Sequence, residues 1–371
     1  MIVDGLGRER FLREYWQRKP VLLKQALPRF IDPLSPEELA GLACERNVES
    51  RLVFTRGKKW DLRSGPFKTR DFTSLSARNW TLLVQAVDQW VPGVRELLRT
   101  VPFVPNWRVD DVMISYATPD GGVGPHFDYY DVFLVQGQGS RLWKTGQRCT
   151  AADELRTDSG LKLLKRFDTE HEFELHSGDV LYVPPGVAHW GISHDDSLCY
   201  SIGFRAPSLT DMLLGFSEEL AAGLGPDLRF TDPKRSQPLQ TGEITTADLQ
   251  QARRLLQLAL QDDAAIARWF GSQMTQLRYP DLIETDNTRP TIRSRVSLHP
   301  ASRLAWQQEG RQLRVFVDGE GELLPASGKL RKLLQQLAEG TSIGYREFTA
   351  PIALKQWCKL LLQRGSLQVD N

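Results

Sequence analysis

Residues 124–137 read GPHFDYYDVFLVQG, with His126 and Asp128 two apart at the head of an apolar run. If this stretch is a strand, the side-chain period of two turns both groups to one face. An imidazole and a carboxylate side by side suit a shared cation, and a third donor must then come from elsewhere in the chain. The chain has six histidines: His126, His171, His176, His189, His194 and His299. His189 is the best placed, because VPPGVAHWG sets it just after a proline turn, at the start of a strand. The other four read as ordinary hydrogen-bonded groups. Two histidines and one carboxylate on one side of a metal leave the opposite positions open, which suits non-haem Fe(II) with a co-substrate and O₂. Zinc more often takes four protein ligands, or three and a water.

Arg141 lies thirteen residues after Asp128 on the next expected strand, flanked by Leu142 and Trp143. A guanidinium inside a barrel is costly unless it meets an anion, and its planar fork matches a carboxylate. Taken alone, Arg141 reads equally well as an exposed arginine beside the GQGS turn. Taken with a metal, it becomes the anchor for a dicarboxylate whose other end chelates iron, and Ser115 offers a hydroxyl to the same carboxylate. Asp120, Tyr129, Tyr130 and Asp131 surround the iron motif. Asp120 and Tyr130 are candidate substrate contacts, since an arginyl side chain seeks a carboxylate and an aromatic face. Their alternative duties are a turn at Asp120 and barrel packing at Tyr130. The cluster Gly121, Gly122 and Gly124 lacks the Lys-Ser/Thr of a phosphate loop and precedes a strand, so its expected role is close backbone approach to the metal mouth.

These groups need a scaffold. After Pro105 come short runs, DVMISYAT, DVFLVQG, SRLWKTG, EFELHSGDVLYVPPG, AHWGISH and SLCYSIGFRA, separated by Gly, Pro, Asp and Ser. That texture predicts an antiparallel barrel or sandwich. Before it, residues 8–26 suggest a short amphipathic helix broken by Pro20, then a strand at Val21–Lys24. SPEELAGLAC (35–44) carries Ser35, Pro36 and Glu38 in capping-box order. The three- and four-residue apolar spacing of 79–100 predicts a helix broken near Pro92. Beyond Pro207, helices are expected at 208–223 and 246–276, the latter interrupted near Asp262, with a polar loop over 225–245. A further unit from about Arg289 holds strand candidates RQLRVFVDG and GELLPA and helices at 327–338 and 351–363.

With 371 residues the chain should form two or three units. Its 47 basic and 46 acidic residues give no overall attraction to nucleic acid or anionic membrane. No apolar run approaches the ~20 residues of a membrane span, the N-terminus lacks a signal-peptide core, and Cys44, Cys149, Cys199 and Cys358 form no CxxC pair. A cytoplasmic protein with free thiols is expected. Lys329-Leu330-Arg331-Lys332 reads as a solvated helix face, so no direct nucleic-acid contact is predicted. The surplus of apolar positions in 246–276 suggests burial against a second copy, most simply in a homodimer.

GGVGPHFDYYDVFLVQGQGSRLWKTG followed by SGDVLYVPPGVAHWG resembles the JmjC-type cupin-barrel 2-oxoglutarate oxygenases, and more narrowly the bacterial ribosomal oxygenases that hydroxylate arginine. WQRKPVLLKQA, FIDPLSPEELAGLA and SIGFRAP extend the likeness; the C-terminal third shares mainly layout. The resemblance implies an α+β chain: a double-stranded β-helix catalytic domain (1–206), a helical dimerisation region (207–285) and a winged-helix-like domain (286–371). It implies His126, Asp128 and His189 as the iron ligands, and Arg141 and Ser115 beside the 2-oxoglutarate carboxylate; Arg141 stands where many relatives have lysine. The implied reaction converts 2-oxoglutarate and O₂ to succinate and CO₂ while hydroxylating the β-carbon of an arginyl residue in large-subunit ribosomal protein sixteen. A histidyl residue of another ribosomal protein, a small-molecule metal cupin reaction, or a binding module with a vestigial barrel are the competing readings.

Overall fold

The structure, a computed structural model, describes residues 1–57, 59–225, 227–233, 240–283 and 289–370. These form two compact units, Met1–Ala206 and Pro207–Asn371. The first holds strands β1 (Val21–Leu23), β2 (Ser50–Arg56), β3 (Lys59–Ser64), β4 (Trp80–Val84), β5 (Val109–Ala117), β6 (Val132–Gln136), β7 (Ser140–Arg148), β8 (Thr169–His176), β9 (Val180–Val183), β10 (Val187–Ser193) and β11 (Ser197–Phe204). Its short helices are α1 (Arg8–Glu14), α2 (Pro36–Leu42), α3 (Thr69–Thr73) and α4 (Pro92–Arg95).

Eight strands make one sheet in the order β1-β9-β6-β11-β5-β4-β2-β3, and β10-β7-β8 make a second. Leu134, Leu181 and Cys199 from the large sheet pack with Trp143 and Leu175 from the small one, closing a barrel between them. The large sheet's other face is covered too: Phe11 and Leu39 from the N-terminal helices share a core with Phe133, Tyr182, Ile202 and Phe204. Covering both faces explains why β6, β9 and β11 are buried at every position, reading as continuous apolar runs where a one-sided sheet would alternate. The N-terminal arm is fastened by β1 pairing with β9. The buried Asp179 holds it as well, accepting from Lys24 Nζ and the Gln25 N–H, both at 2.8 Å. The capping box at Ser35 and Glu38 forms as expected.

The helix expected over 79–100 does not form. Trp80–Val84 is β4, paired with both β2 and β5, and the rest breaks into a 3₁₀ turn at Val87–Gln89, α4, and a second 3₁₀ turn at Glu96–Thr100. WTLLV is a buried apolar run, whose spacing does not separate strand from helix; pairing on both edges decides it. Pro92 then starts α4 at its first position, which needs no N–H.

The second unit opens with α5 (Leu209–Gly223), α6 (Thr246–Ala259) and α7 (Asp263–Thr275), where Asp262 separates the last two by capping α7. Phe216 of α5 packs on Ala265 and Trp269 of α7. Strands β12 (Arg295–Leu298), β13 (Leu304–Glu309), β14 (Gln312–Val317), β15 (Glu320–Pro325), β16 (Ile343–Gly344) and β17 (Leu367–Asp370) follow, with helices α8 (Gly328–Ala338) and α9 (Ile352–Gln363) between them. One core joins Leu313, Val315, Leu333, Leu337, Trp357 and Leu361. Strands β12, β16 and β17 escaped sequence reading because each is short and finds its partner far along the chain; β13 escaped it although its partner β14 follows directly in a hairpin. The boundary expected at 285/286, and residues 226 and 234–239 of the expected loop, lie outside the described residues. Among the described residues no helix is long and apolar enough to cross a membrane, and all four cysteines are free thiols.

Candidate metal centre

His126 and Asp128 do not lie on a strand as expected, since β6 begins only at Val132. They belong to an extended lead-in held by other means. His126 makes a two-bond bridge with His189: its N–H donates to the His189 carbonyl at 3.1 Å, and its carbonyl accepts the His189 N–H at 2.8 Å. The Asp128 carbonyl accepts the Gly186 N–H at 2.7 Å. The Pro184-Pro185-Gly186 turn thus takes a bond that a ladder partner would otherwise take, because neither proline can donate. Glycine is needed on the approach. Gly124 has φ 93°, and a Cβ on Gly122 would sit 2.3 Å from the Gly191 carbonyl oxygen of β10.

The side chains still converge. One ligand atom from each of His126, Asp128 and His189 lies within 4.8 Å of the others, with His189 Nε2 3.5 Å from Asp128 Oδ2 and the two imidazole centroids 4.3 Å apart. Each ring directs Nδ1 at a backbone carbonyl, His126 to Gly124 at 2.9 Å and His189 to Val187 at 3.0 Å. A carbonyl only accepts, so Nδ1 carries the proton and Nε2 offers its lone pair to the cluster. Burial, reinforced by the neighbouring His126, lowers the His189 pKa to about 4, leaving it neutral at physiological pH, the form that binds metal. Two imidazole nitrogens and one carboxylate oxygen fit a divalent transition metal with open positions.

Arg141 is buried, and among the described residues no carboxylate forms an ion pair with it. Its Nε donates to Ser197 Oγ at 2.7 Å and Nη1 to Ser115 Oγ at 2.7 Å. Nη2 donates to the carbonyls of Ser115 and Ser197, both at 2.9 Å. These take four of the five guanidinium N–H bonds and leave one on Nη1. The hydroxyls can be assigned as well. Ser193 donates to the Asp195 carbonyl at 2.7 Å, so in its short contact with Ser197 it must accept. The Ser197 proton is then used, while the Ser115 proton has only a 3.5 Å contact with the Cys199 carbonyl. A fixed cation with one spare N–H beside an under-used hydroxyl is a receptor for one carboxylate. Burial also pulls the guanidinium pKa below its ordinary value, against the weaker opposing effects of Cys199 and Asp195, a cost that an arriving anion offsets.

The two candidate substrate residues sit differently. Asp120, at φ 62°, pairs with Arg78 on the surface, and its N–H donates to the Ser193 carbonyl at 2.9 Å. Tyr130, still 41% exposed, turns its phenol toward Asp128; desolvation, then that carboxylate, raise its pKa well above the phenolic value, so the phenol stays protonated and can donate to Asp128. Tyr129 is exposed and stacks edge-on against Phe127. Asp131, fully buried, accepts from Tyr182 at 2.6 Å and Gln17 at 3.0 Å, pinning the N-terminal arm. Sequence reading missed Ser193 and Ser197: small polar residues around a turn carry no signal of their own until β7 brings Arg141 across to them.

The JmjC domain family matches residues 96–212, and the ROXA-like winged helix matches residues 258–365. The Escherichia coli ribosomal protein uL16 3-hydroxylase is 39% identical over 276 residues, spanning 72% of this chain and 71% of its own. The chain belongs to the bacterial ribosomal oxygenases, a branch of the JmjC family. The crystal structure of the Escherichia coli ribosomal oxygenase YcfD superposes on this ribosomal oxygenase with a TM-score of 0.85 at 31% identity, covering 98% of both chains. YcfD in complex with cobalt and 2-oxoglutarate matches at a TM-score of 0.82, 31% identity and the same coverage.

Proposed function

We propose that this chain is an Fe(II)- and 2-oxoglutarate-dependent protein hydroxylase acting on the β-carbon of an arginyl residue in large-subunit ribosomal protein sixteen. The observation that carries it is the pairing of two half-sites in one barrel: an open His126, Asp128, His189 cluster and a buried arginine without a carboxylate partner. Kinship to the uL16 3-hydroxylase supports the choice of substrate. His126, Asp128 and His189 would hold the iron, which supplies the O₂ chemistry that side chains lack. Arg141 and Ser115 bind the far carboxylate of 2-oxoglutarate, and the barrel wall excludes water from it. Asp120 and Tyr130 are assigned to the substrate side, Tyr130 by keeping its phenol beside Asp128.

In this reading residues 1–206 are the catalytic domain, 207–285 a dimerisation region and 286–371 the winged-helix-like domain. Helix α6 exposes Leu249, Leu256 and Leu258 and α5 exposes Leu213 and Leu214, an apolar surface suited to a homodimer. The protein works in the cytoplasm, where its ribosomal substrate is made, without direct contact to nucleic acid. The test is succinate formation from 2-oxoglutarate with Fe(II), with and without ribosomal protein sixteen. Turnover stimulated by that protein is the expected result; equal turnover without it would point to a small-molecule substrate.

A further inference from the structure

Strand β7 buries Arg141, Trp143 and Thr145, while Leu142 and Lys144 between them are partly exposed. Across the ladder on β10 these three face Ser193, Gly191 and His189 in that order, and opposed residues of an antiparallel pair share a face. The inner wall therefore has three tiers: the anchor tier of Arg141 and Ser193, a middle tier of Trp143 and Gly191, and the metal tier of Thr145 and His189. Two polar atoms on this wall have no task so far. Trp143 Nε1 and Thr145 Oγ1 are shielded from solvent and have no hydrogen-bond partner, in residues only 7% and 1% exposed. The Trp143 ring centroid lies 6.0 Å from that of His189. Trp143 also fills the space that Gly191 leaves, where a Cβ would stand 2.9 Å from the indole.

A buried donor without an acceptor is unfavourable, and a ligand that brings acceptors corrects it. The geometry points to Trp143 and Thr145 as positioning residues for the keto-acid end of 2-oxoglutarate, an inference that rests on the co-substrate reading above. The far carboxylate belongs to Arg141, so the middle and metal tiers meet the end that carries the 2-oxo group and its adjacent carboxylate. Those oxygens only accept, an indole N–H only donates, and a threonine hydroxyl can donate. Two donors on one wall fix which way the keto acid lies against the cluster, and hence which open position is left free.

The test titrates 2-oxoglutarate into the full-length protein loaded with Mn(II), a redox-inert substitute, in the Thr145→Val, Thr145→Ser and Trp143→Phe variants. Pentanoate, which keeps the far carboxylate and the chain length but lacks both the oxo group and its adjacent carboxylate, is the control ligand, measured by competition. Thr145→Val and Trp143→Phe should each weaken 2-oxoglutarate roughly 5- to 10-fold, with pentanoate unchanged and Thr145→Ser restoring full affinity. The charge-transfer band of the anaerobic Fe(II) and 2-oxoglutarate complex should shift in Thr145→Val and return in Thr145→Ser. Should Trp143→Phe fail to fold, as its thermal melt would reveal, the nearly isosteric Thr145 variants decide the matter. Unchanged 2-oxoglutarate affinity in Thr145→Val, or an equal loss of pentanoate, overturns the assignment. Failure of the unaltered Mn(II)-loaded protein to bind 2-oxoglutarate overturns the co-substrate reading with it.

Discussion

At the scale of single residues the site is defined by unmet needs. His126 and His189 each spend Nδ1 on a backbone carbonyl, which leaves both Nε2 lone pairs for a third party. Arg141 donates to serine hydroxyls and carbonyls, and among the described residues it makes no ion pair. Removing the guanidinium should therefore act on co-substrate binding: Arg141→Ala is expected to weaken 2-oxoglutarate by about 30-fold or more, since truncating one side of a buried charged contact costs ~2–5 kcal/mol. Titration calorimetry on the metal-loaded protein checks this, and an affinity within two-fold of the unaltered protein would remove Arg141 from the anchor role. Ser197→Ala should have a smaller effect, because Nη1 and Ser115 survive, but it orphans the buried Nε–H and should cost ~1–3 kcal/mol of stability.

At the scale of elements, close approach of backbones does much of the positioning. Gly122 lies against the Gly191 carbonyl and Gly191 against Trp143, so Gly191→Ala should lower stability by ~1–3 kcal/mol through overpacking, read as a shift in a denaturant melt. The N-terminal arm is a second such device. Asp179 accepts from Lys24, Gln25 and the His176 N–H, and these partners hold its pKa below the ordinary value against the opposing effect of burial. A lowered folded pKa means the contribution is present above the unfolded carboxylate value of about 3.9 and is lost as pH falls through the folded one. Asp179→Asn should flatten that acid limb of the stability profile; a limb unchanged in the variant would show that other carboxylates produce it. The elements also show what sequence can carry. The iron motif, the PPG turn and the capping box at Ser35 were legible because each is a local signature. β4 was not, because nothing in WTLLV announces its two neighbours. Asp128 was placed on a strand because period-two reasoning cannot see that Gly186, not a ladder partner, takes its carbonyl.

At the scale of the whole molecule, the apolar positions of α6 that sequence alone flagged remain exposed in the single chain. Leu256→Asp is expected to convert a dimer into a monomer in sedimentation velocity while leaving 2-oxoglutarate affinity intact; a dimer that persists would place the interface elsewhere. Ribosomal protein sixteen incubated with the enzyme, Fe(II), 2-oxoglutarate and O₂, then analysed by tandem mass spectrometry, should gain the mass of one oxygen on a single arginyl residue, and the gain should vanish in His126→Ala. An unmodified substrate with the unaltered enzyme, or the same modification with His126→Ala, would contradict the account.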